Sequence, residues 1–298
     1  MHSVSDALDI CSVSDEIWVA RGTYNESIEL TENLALYGGF VGSEEALEER
    51  DLAQNSTILD ASGLSDSVVT VSGVEGTVLD GVTITGGSFE TGGGIRFSYA
   101  SSATVSNCTI TGNSALQGGG GVSSRLSAPY LTNCSIIANE STRRGGGLSI
   151  SDSQATMTNC LMSENRAEEG AGVWIGTSTP AITSCTVRNN VASKNGGGIA
   201  CEFAHPLIYN CDILNNTGQY GGGIAFLVSE GEISETTIAY NVTPGGGGVY
   251  GDESSPRFER CSVFRNREGG IYFIFRQSKP IFKDCLIEEN ESLYSGAG

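Results

Sequence analysis

The sequence predicts an all-β fold, a parallel β-helix of three short strands per coil and about 25 residues per coil. Three observations predict it. An Asn recurs at 113, 139, 165, 190, 216, 241, 266 and 290, so that copies of one block follow each other every 24 to 26 residues. Apolar residues alternate with polar ones at three places in each block, with no helical periodicity between them. Glycine runs and single prolines punctuate the blocks at fixed offsets, as tight corners require.

Each element follows from these anchors. One strand starts after a recurrent Cys, with the aliphatic two places later facing inward: Cys108 with Ile110, Cys160 with Met162, Cys185 with Val187. A second follows the glycine run, as in Leu148 with Ile150 and Val173 with Ile175. A third precedes the Cys, with a ladder of Val105, Leu131, Met157, Ile182, Ile208, Ile233, Phe258 and Phe282. The recurrent Asn is placed to form a side-chain ladder along the axis. Glycine runs such as 92–94, 145–147 and 196–198 supply positive φ and close backbone approach. Pro129, Pro180, Pro206, Pro256 and Pro280 open strands without donating a hydrogen bond. This register predicts that Glu232 lies beside Arg257, Glu259 beside Lys283 and Arg265 beside Glu289.

Residues 55–298 read as regular coils and residues 1–54 as an N-terminal cap with the first irregular coils, together one continuous domain. Within the cap, residues 5–12 suggest a short helix. Glu16–Ala20, Ile28–Leu30 and Leu34–Phe40 read as strands, followed by an acidic insert from Ser43 to Asp51. An atypical first segment suits a solenoid, whose open end must be covered. The last residues repeat the 166–172 stretch of an earlier block, and the start carries no apolar leader. The reading at this stage is a monomeric piece of a longer chain.

Composition narrows the function classes. The formal net charge is −19 with only 16 Lys plus Arg, so a phosphate backbone is repelled over most of the surface and nucleic acid is not an expected partner. Acidic polysaccharide would be repelled as well, unless local basic patches or bridging cations intervene. No apolar run approaches the ~20 residues of a membrane span, so no membrane insertion by this segment is expected. Five of the nine cysteines, 108, 134, 160, 185 and 211, hold one position in consecutive blocks. They read as small apolar core residues, because paired Cys/His metal spacing is missing and Thr236 takes the same position in another block. No metal or cofactor is expected.

The joint pattern of aliphatic-x-x-Asn and Gly-Gly-Gly-aliphatic resembles the polymorphic outer membrane protein repeats of bacterial surface autotransporters. More broadly, the chain is similar to the secreted right-handed, single-stranded parallel β-helix proteins of the pectin-lyase-like superfamily. Its opening, Asp15 to Tyr24 (DEIWVARGTY), Leu36 to Glu44 (LYGGFVGSE) and Thr57 to Asp60 (TILD), also resembles bacterial β-helix proteins that carry a C-terminal sorting anchor. These resemblances imply export and display at the bacterial cell surface, with adhesion as the usual role of the autotransporter relatives.

Three functions remain open at the sequence level: a non-catalytic adhesin-like surface for a glycan or host-surface partner, a structural stalk, and a polysaccharide lyase, hydrolase or epimerase. For the enzyme, the candidate acid/base pair is Arg188 and Asp212, diagonal on adjacent coils. The only histidines are His2 and His205, the latter beside a strand-opening Pro. For binding, Trp174, Tyr250 and Tyr272 share the outward position just after the first aliphatic of the second strand, which suggests an aromatic platform.

Overall fold

A computed structural model describes residues 3–99, 101–244, 246–274 and 277–291. The strands are parallel, and sequence neighbours go to different sheets, so the chain winds as a β-helix. Sheet 1 has 11 strands, from Glu16–Ala20 to Ile281–Lys283, and contains the strand before each Cys. Sheet 2 has 11, from Gly22–Tyr24 to Leu286–Glu288, and sheet 3 has 10, from Ile28–Leu30 to Ile271–Ile274. A coil spacing of about 4.8 Å gives a rod on the order of 50 Å tall.

The three apolar ladders face one continuous core. In sheet 1 the expected ladder is in register from Val105 through Leu131 to Phe282. The cysteines of the repeated position are buried and free, as are Cys201 and Cys261. Each polar end of the column is satisfied locally: the Cys211 thiol contacts the Ile182 carbonyl at 3.4 Å, and the Cys211 N–H donates to Thr236 Oγ1 at 3.3 Å. Thr236 therefore keeps the column's hydrogen bonding where the sulfur is missing. Burial pushes the Cys261 thiol up to about 11 and the Cys201 thiol further up.

The asparagine ladder is continuous. Asn190 Oδ1 accepts from the backbone N–H and the side-chain amide of Asn165, both at 3.0 Å. Asn190 Nδ2 donates to the Met162 carbonyl at 3.0 Å and to Asn216 Oδ1 at 2.9 Å. The same pattern runs from Asn113 to Asn290, so these buried amides are fully used. A second polar ladder, absent from the sequence reading, runs along the corner between sheets 3 and 1. There the Ser153 N–H donates to Ser178 Oγ and the Ser229 N–H to Ser254 Oγ, each at 3.0 Å. Its signal was a Ser two residues before several of the prolines, as in Ser127-Ala-Pro129 and Ser178-Thr-Pro180.

The glycine runs divide their two tasks by position. Gly145 opens its run at φ +60, whereas a Cβ on Gly147 would lie 2.5 Å from the Gly172 carbonyl oxygen of the next coil. The first glycine turns the chain and the last lets the coils stack. Of the predicted charge pairs, Lys283–Glu259 at 2.9 Å and Arg265–Glu289 at 2.6 Å form. Glu232 and Arg257 are in register but do not pair, because Arg257 turns along its own strand to Glu259, 3.2 Å away.

At the N-terminus the helix is Val4–Leu8, shorter than expected, with Val4 buried against the open core. Ser3 caps it, and Glu26 accepts the Val4 and Ser5 N–H groups at 2.7 and 2.9 Å. Strands of all three sheets already lie between residues 16 and 30, and the coil containing residue 54 begins at Ala35. The acidic insert folds back over sheet 1, where Arg50 reaches the largely buried Asp80 at 2.5 Å. The repeated C-terminal residues 292–298 and His2 lie outside the described residues.

Candidate functional site

The outer face of sheet 3 is where the coils stop being uniform. Its first outward column reads Arg96, Ser123, Ser149, Trp174, Ala200, Ala225, Tyr250 and Tyr272, in register on successive coils. Between the asparagine corner and the glycine run the chain makes an extra excursion, which forms a fourth sheet of five short strands from Ser88–Thr91 to Val191–Ala192. That small sheet was not anticipated, since segments as short as Glu140–Ser141 carry too little alternation to be read. It stands beside sheet 3 as a wall.

Wall and floor together form a groove along the axis. One stretch, with a cavity volume of about 450 Å³, is lined by Ser123, Arg125, Arg143, Arg144, Trp174 and Glu202 among others. An adjoining stretch of about 420 Å³ shares Thr91, Ser123 and Arg125 with it and continues past Phe89 and Arg96.

Trp174 occupies the outward position expected for it but is not an open platform: only 6% of its surface is exposed. Its ring lies over Gly176, where an added Cβ would come within 2.1 Å of the indole. The Arg144 guanidinium covers the ring at 4.4 Å from its centroid. Arg144 is in turn held by Glu202 at 2.9 Å and Glu169 at 3.6 Å. A ligand in the groove therefore meets a guanidinium seated on an indole.

Tyr250 and Tyr272 are in adjacent coils as expected, with ring centroids 6.2 Å apart. Tyr250 is buried at 7% exposure, with Tyr220 at 5.2 Å, and Tyr272 is the exposed member at 54%. Burial pushes the Tyr250 hydroxyl above its ordinary value. Ala200 and Ala225 separate this stack from Trp174, so the three aromatics do not form one platform.

The groove is rich in cations for so acidic a chain. Arg125 makes no ion pair with any described residue, and Arg143 is engaged by the uncharged Gln117 at 3.0 Å. Arg96 stacks on Phe89 at 5.0 Å and donates to Thr70 Oγ1 at 3.2 Å. Of the acidic groups nearby, Glu202 is taken by Arg144, Asp152 accepts from Thr177 Oγ1 at 2.7 Å, and Glu90 lines the Arg96 stretch as an exposed carboxylate. On the wall, Lys194 holds the Glu168 carboxyl below its ordinary value. The sequence carries no signal for the role of Arg143-Arg144, because neither Trp174 beneath nor Glu202 two coils on is near in sequence.

Arg188 and Asp212 lie on sheet 2, away from this groove. They are diagonal, with Asp212 in register with Thr186 and Arg188 with Leu214, and both are exposed. No ion pair joins them among the described residues. His205 is likewise exposed, 3.8 Å from Glu230.

Comparison with known proteins agrees with this architecture. A family model described as right handed beta helix region matches residues 49–213 and 203–298. The chain belongs to the right-handed β-helix family. Among solved structures it is similar to pectate lyase Pel9A, with 14% identity over 96% of this chain and 72% of that one, at a TM-score of 0.52. A pectin methylesterase from Aspergillus niger is matched at 14% identity over 99% and 84%, with a TM-score of 0.36. PfbA, a surface adhesin of Streptococcus pneumoniae, is matched at 8% identity over 99% and 92%, with a TM-score of 0.28. No curated protein matches the chain in sequence. At such identities the likeness to this right-handed β-helix is one of fold alone.

Proposed function

We propose that this right-handed β-helix is a non-catalytic, glycan-binding surface segment of an exported bacterial protein, with the groove on sheet 3 as its binding face. The observation that carries the reading is the guanidinium set of Arg125, Arg143 and Arg144 around one groove. Among the described residues neither Arg125 nor Arg143 forms an ion pair, Arg143 being hydrogen-bonded to Gln117 and acting on Glu168 only through its longer-range charge, in a chain of net charge −19. Guanidinium groups that are not hydrogen-bonded to a carboxylate fit carboxylate or sulfate oxygens with charge-assisted hydrogen bonds. Ser123 and Ser149 on the floor supply hydroxyls of the kind that pair with sugar hydroxyls. The preferred ligand is therefore an acidic glycan, held where these guanidinium groups offset the otherwise repulsive charge of the chain. Export and surface display rest on the sequence resemblances.

The test is a panel of neutral, carboxylated and sulfated glycans, with both binding and cleavage products measured. Binding is expected for acidic members only, falling at least about ten-fold in an Arg125→Ala/Arg143→Ala variant, with the glycan recovered intact. Absence of binding to every member overturns the reading. Cleavage products would overturn its non-catalytic part.

A further inference from the structure

The strand Glu16–Ala20 stands at the end of sheet 1 and has one neighbour among the described residues, Ala35–Phe40. The Ala35 N–H donates to the Asp15 carbonyl at 3.1 Å, which fixes the phase of that pairing. Parallel pairing uses alternate residues, so Ile17 bonds toward Ala35–Phe40. Glu16 and Trp18 therefore turn their N–H and C=O groups to the open edge. Such an edge is a template for another strand.

The helix Val4–Leu8 covers the core at this end without covering that edge. It buries Val4, and a slot of about 350 Å³ remains between helix and strand. Val4, Ala7, Ile10 and Cys11 line one side, and the five consecutive residues of Glu16–Ala20 line the other. Consecutive strand residues point to opposite faces, so a slot lined by all five runs along the edge itself. Its wall is open to solvent: Ile10 is 69% exposed, and Val13 close by in the chain is 68% exposed.

Charge selects the occupant. Between residues 3 and 26 the carboxylates are Asp6, Asp9, Asp15, Glu16 and Glu26, against Arg21 as the cation. Asp15 and Glu26 accept from backbone N–H groups, while Asp6, Asp9 and Glu16 are exposed. A second copy of this end would bring like charges together, so the field favours a cationic partner.

We propose that this slot docks an extended segment of a partner protein, in which apolar residues alternate with lysine or arginine, as an added strand beside Glu16–Ala20. Main-chain hydrogen bonds to Glu16 and Trp18 hold the segment. Its apolar side chains enter the slot beneath Ala7 and Ile10, and its basic ones face outward toward Glu16. The slot shares no lining residue with the arginine groove, so the proposal is independent of the glycan reading.

The probes are three end-blocked heptapeptides: Lys-Val-Lys-Val-Lys-Val-Lys, its counterpart with Glu in place of Lys, and Lys-Val-Lys-Pro-Lys-Val-Lys. Binding is read by calorimetry and by the rate at which a thiol reagent labels Cys11, in the slot, and Cys285, outside it. The first peptide is expected to bind one to one and to slow Cys11 about five-fold, leaving Cys285 unchanged. The acidic and proline peptides should bind about ten-fold more weakly, the first through charge and the second through its lost N–H. Glu16→Pro removes an edge N–H at a strand end and should lose about ten-fold; Glu16→Gln keeps that N–H and should lose about three-fold. Ile10→Ser, at an exposed side chain, should lose about three-fold and decides the matter if Glu16→Pro does not fold. Equal binding by the proline peptide would reduce the interaction to charge and overturn the proposal. So would an unprotected Cys11, full affinity in Ile10→Ser, or no binding of the first peptide. Self-association in sedimentation that Glu16→Pro abolishes would make a second copy the occupant and overturn the partner.

Discussion

The Arg144 guanidinium lies 4.4 Å from the centroid of the Trp174 indole and ties that ring to Glu202 of the following coil. Trp174 thereby anchors a cation on the sheet face instead of offering a bare stacking surface. Arg144→Ala should cost about 1 kcal/mol of stability. The same change should shift the emission of the newly uncovered indole to longer wavelength. Trp174→Ala should cost about 3 kcal/mol, since it removes most of a buried indole. Urea unfolding followed by fluorescence measures both, and an unchanged emission in Arg144→Ala would show that the stack is absent in solution.

The asparagine ladder makes the coils interdependent. Asn190→Ala leaves the Asn165 N–H and the Met162 carbonyl without their partners inside the core. Each orphaned group costs about 1–3 kcal/mol, so a loss on the order of 4 kcal/mol is expected in chemical unfolding. A loss below about 1 kcal/mol would mean that water replaces the amide.

Acid should remove one identifiable surface contribution. Lys283 and then Arg257 hold the Glu259 carboxyl down to about 2. Its folded value is below the ordinary carboxylate value of about 4.3. Its contribution is therefore present above that pH and lost as pH falls through about 2. The Tm difference between the unaltered protein and Glu259→Gln should be constant near neutrality and vanish toward pH 2. A difference that persists at pH 2 would contradict the assignment.

Thiol chemistry separates the core column from its ends. Cys11 and Cys285 are partly exposed, whereas the other seven of the nine cysteines are buried. A colorimetric thiol reagent should titrate about two groups in the native protein and all nine after unfolding. Cys160→Thr should fold, because Thr236 already fills the same column with its hydroxyl bonded to the Ser234 carbonyl at 2.9 Å. Rapid native reaction of more than two thiols would contradict a sealed core.

The parts of this molecule legible in the sequence are those that every coil must repeat. The Val105-to-Phe282 ladder, the Asn113-to-Asn290 ladder and the Glu259–Lys283 contact follow from a period and a register, both of which a single chain displays. The serine ladder escaped because Ser127 and Ser178 read as ordinary turn residues until their stacking is seen. The first coils escaped regularity because residues 43–54 are inserted between two strands of one coil. The groove was harder still. Arg144, Trp174 and Glu202 converge from three coils, and covering one side chain with another leaves no periodic trace. Tyr250, read as an exposed aromatic, is enclosed by Tyr220 and Tyr272 for the same reason.

The most direct test is a crystal structure of the protein with an acidic oligosaccharide of five or more rings. Sugar density is expected on the outer face of sheet 3 between Arg96 and Glu202, with carboxylate or sulfate groups at Arg125 and Arg143. Density on sheet 1 or sheet 2, or beside Arg188 and Asp212, would contradict it.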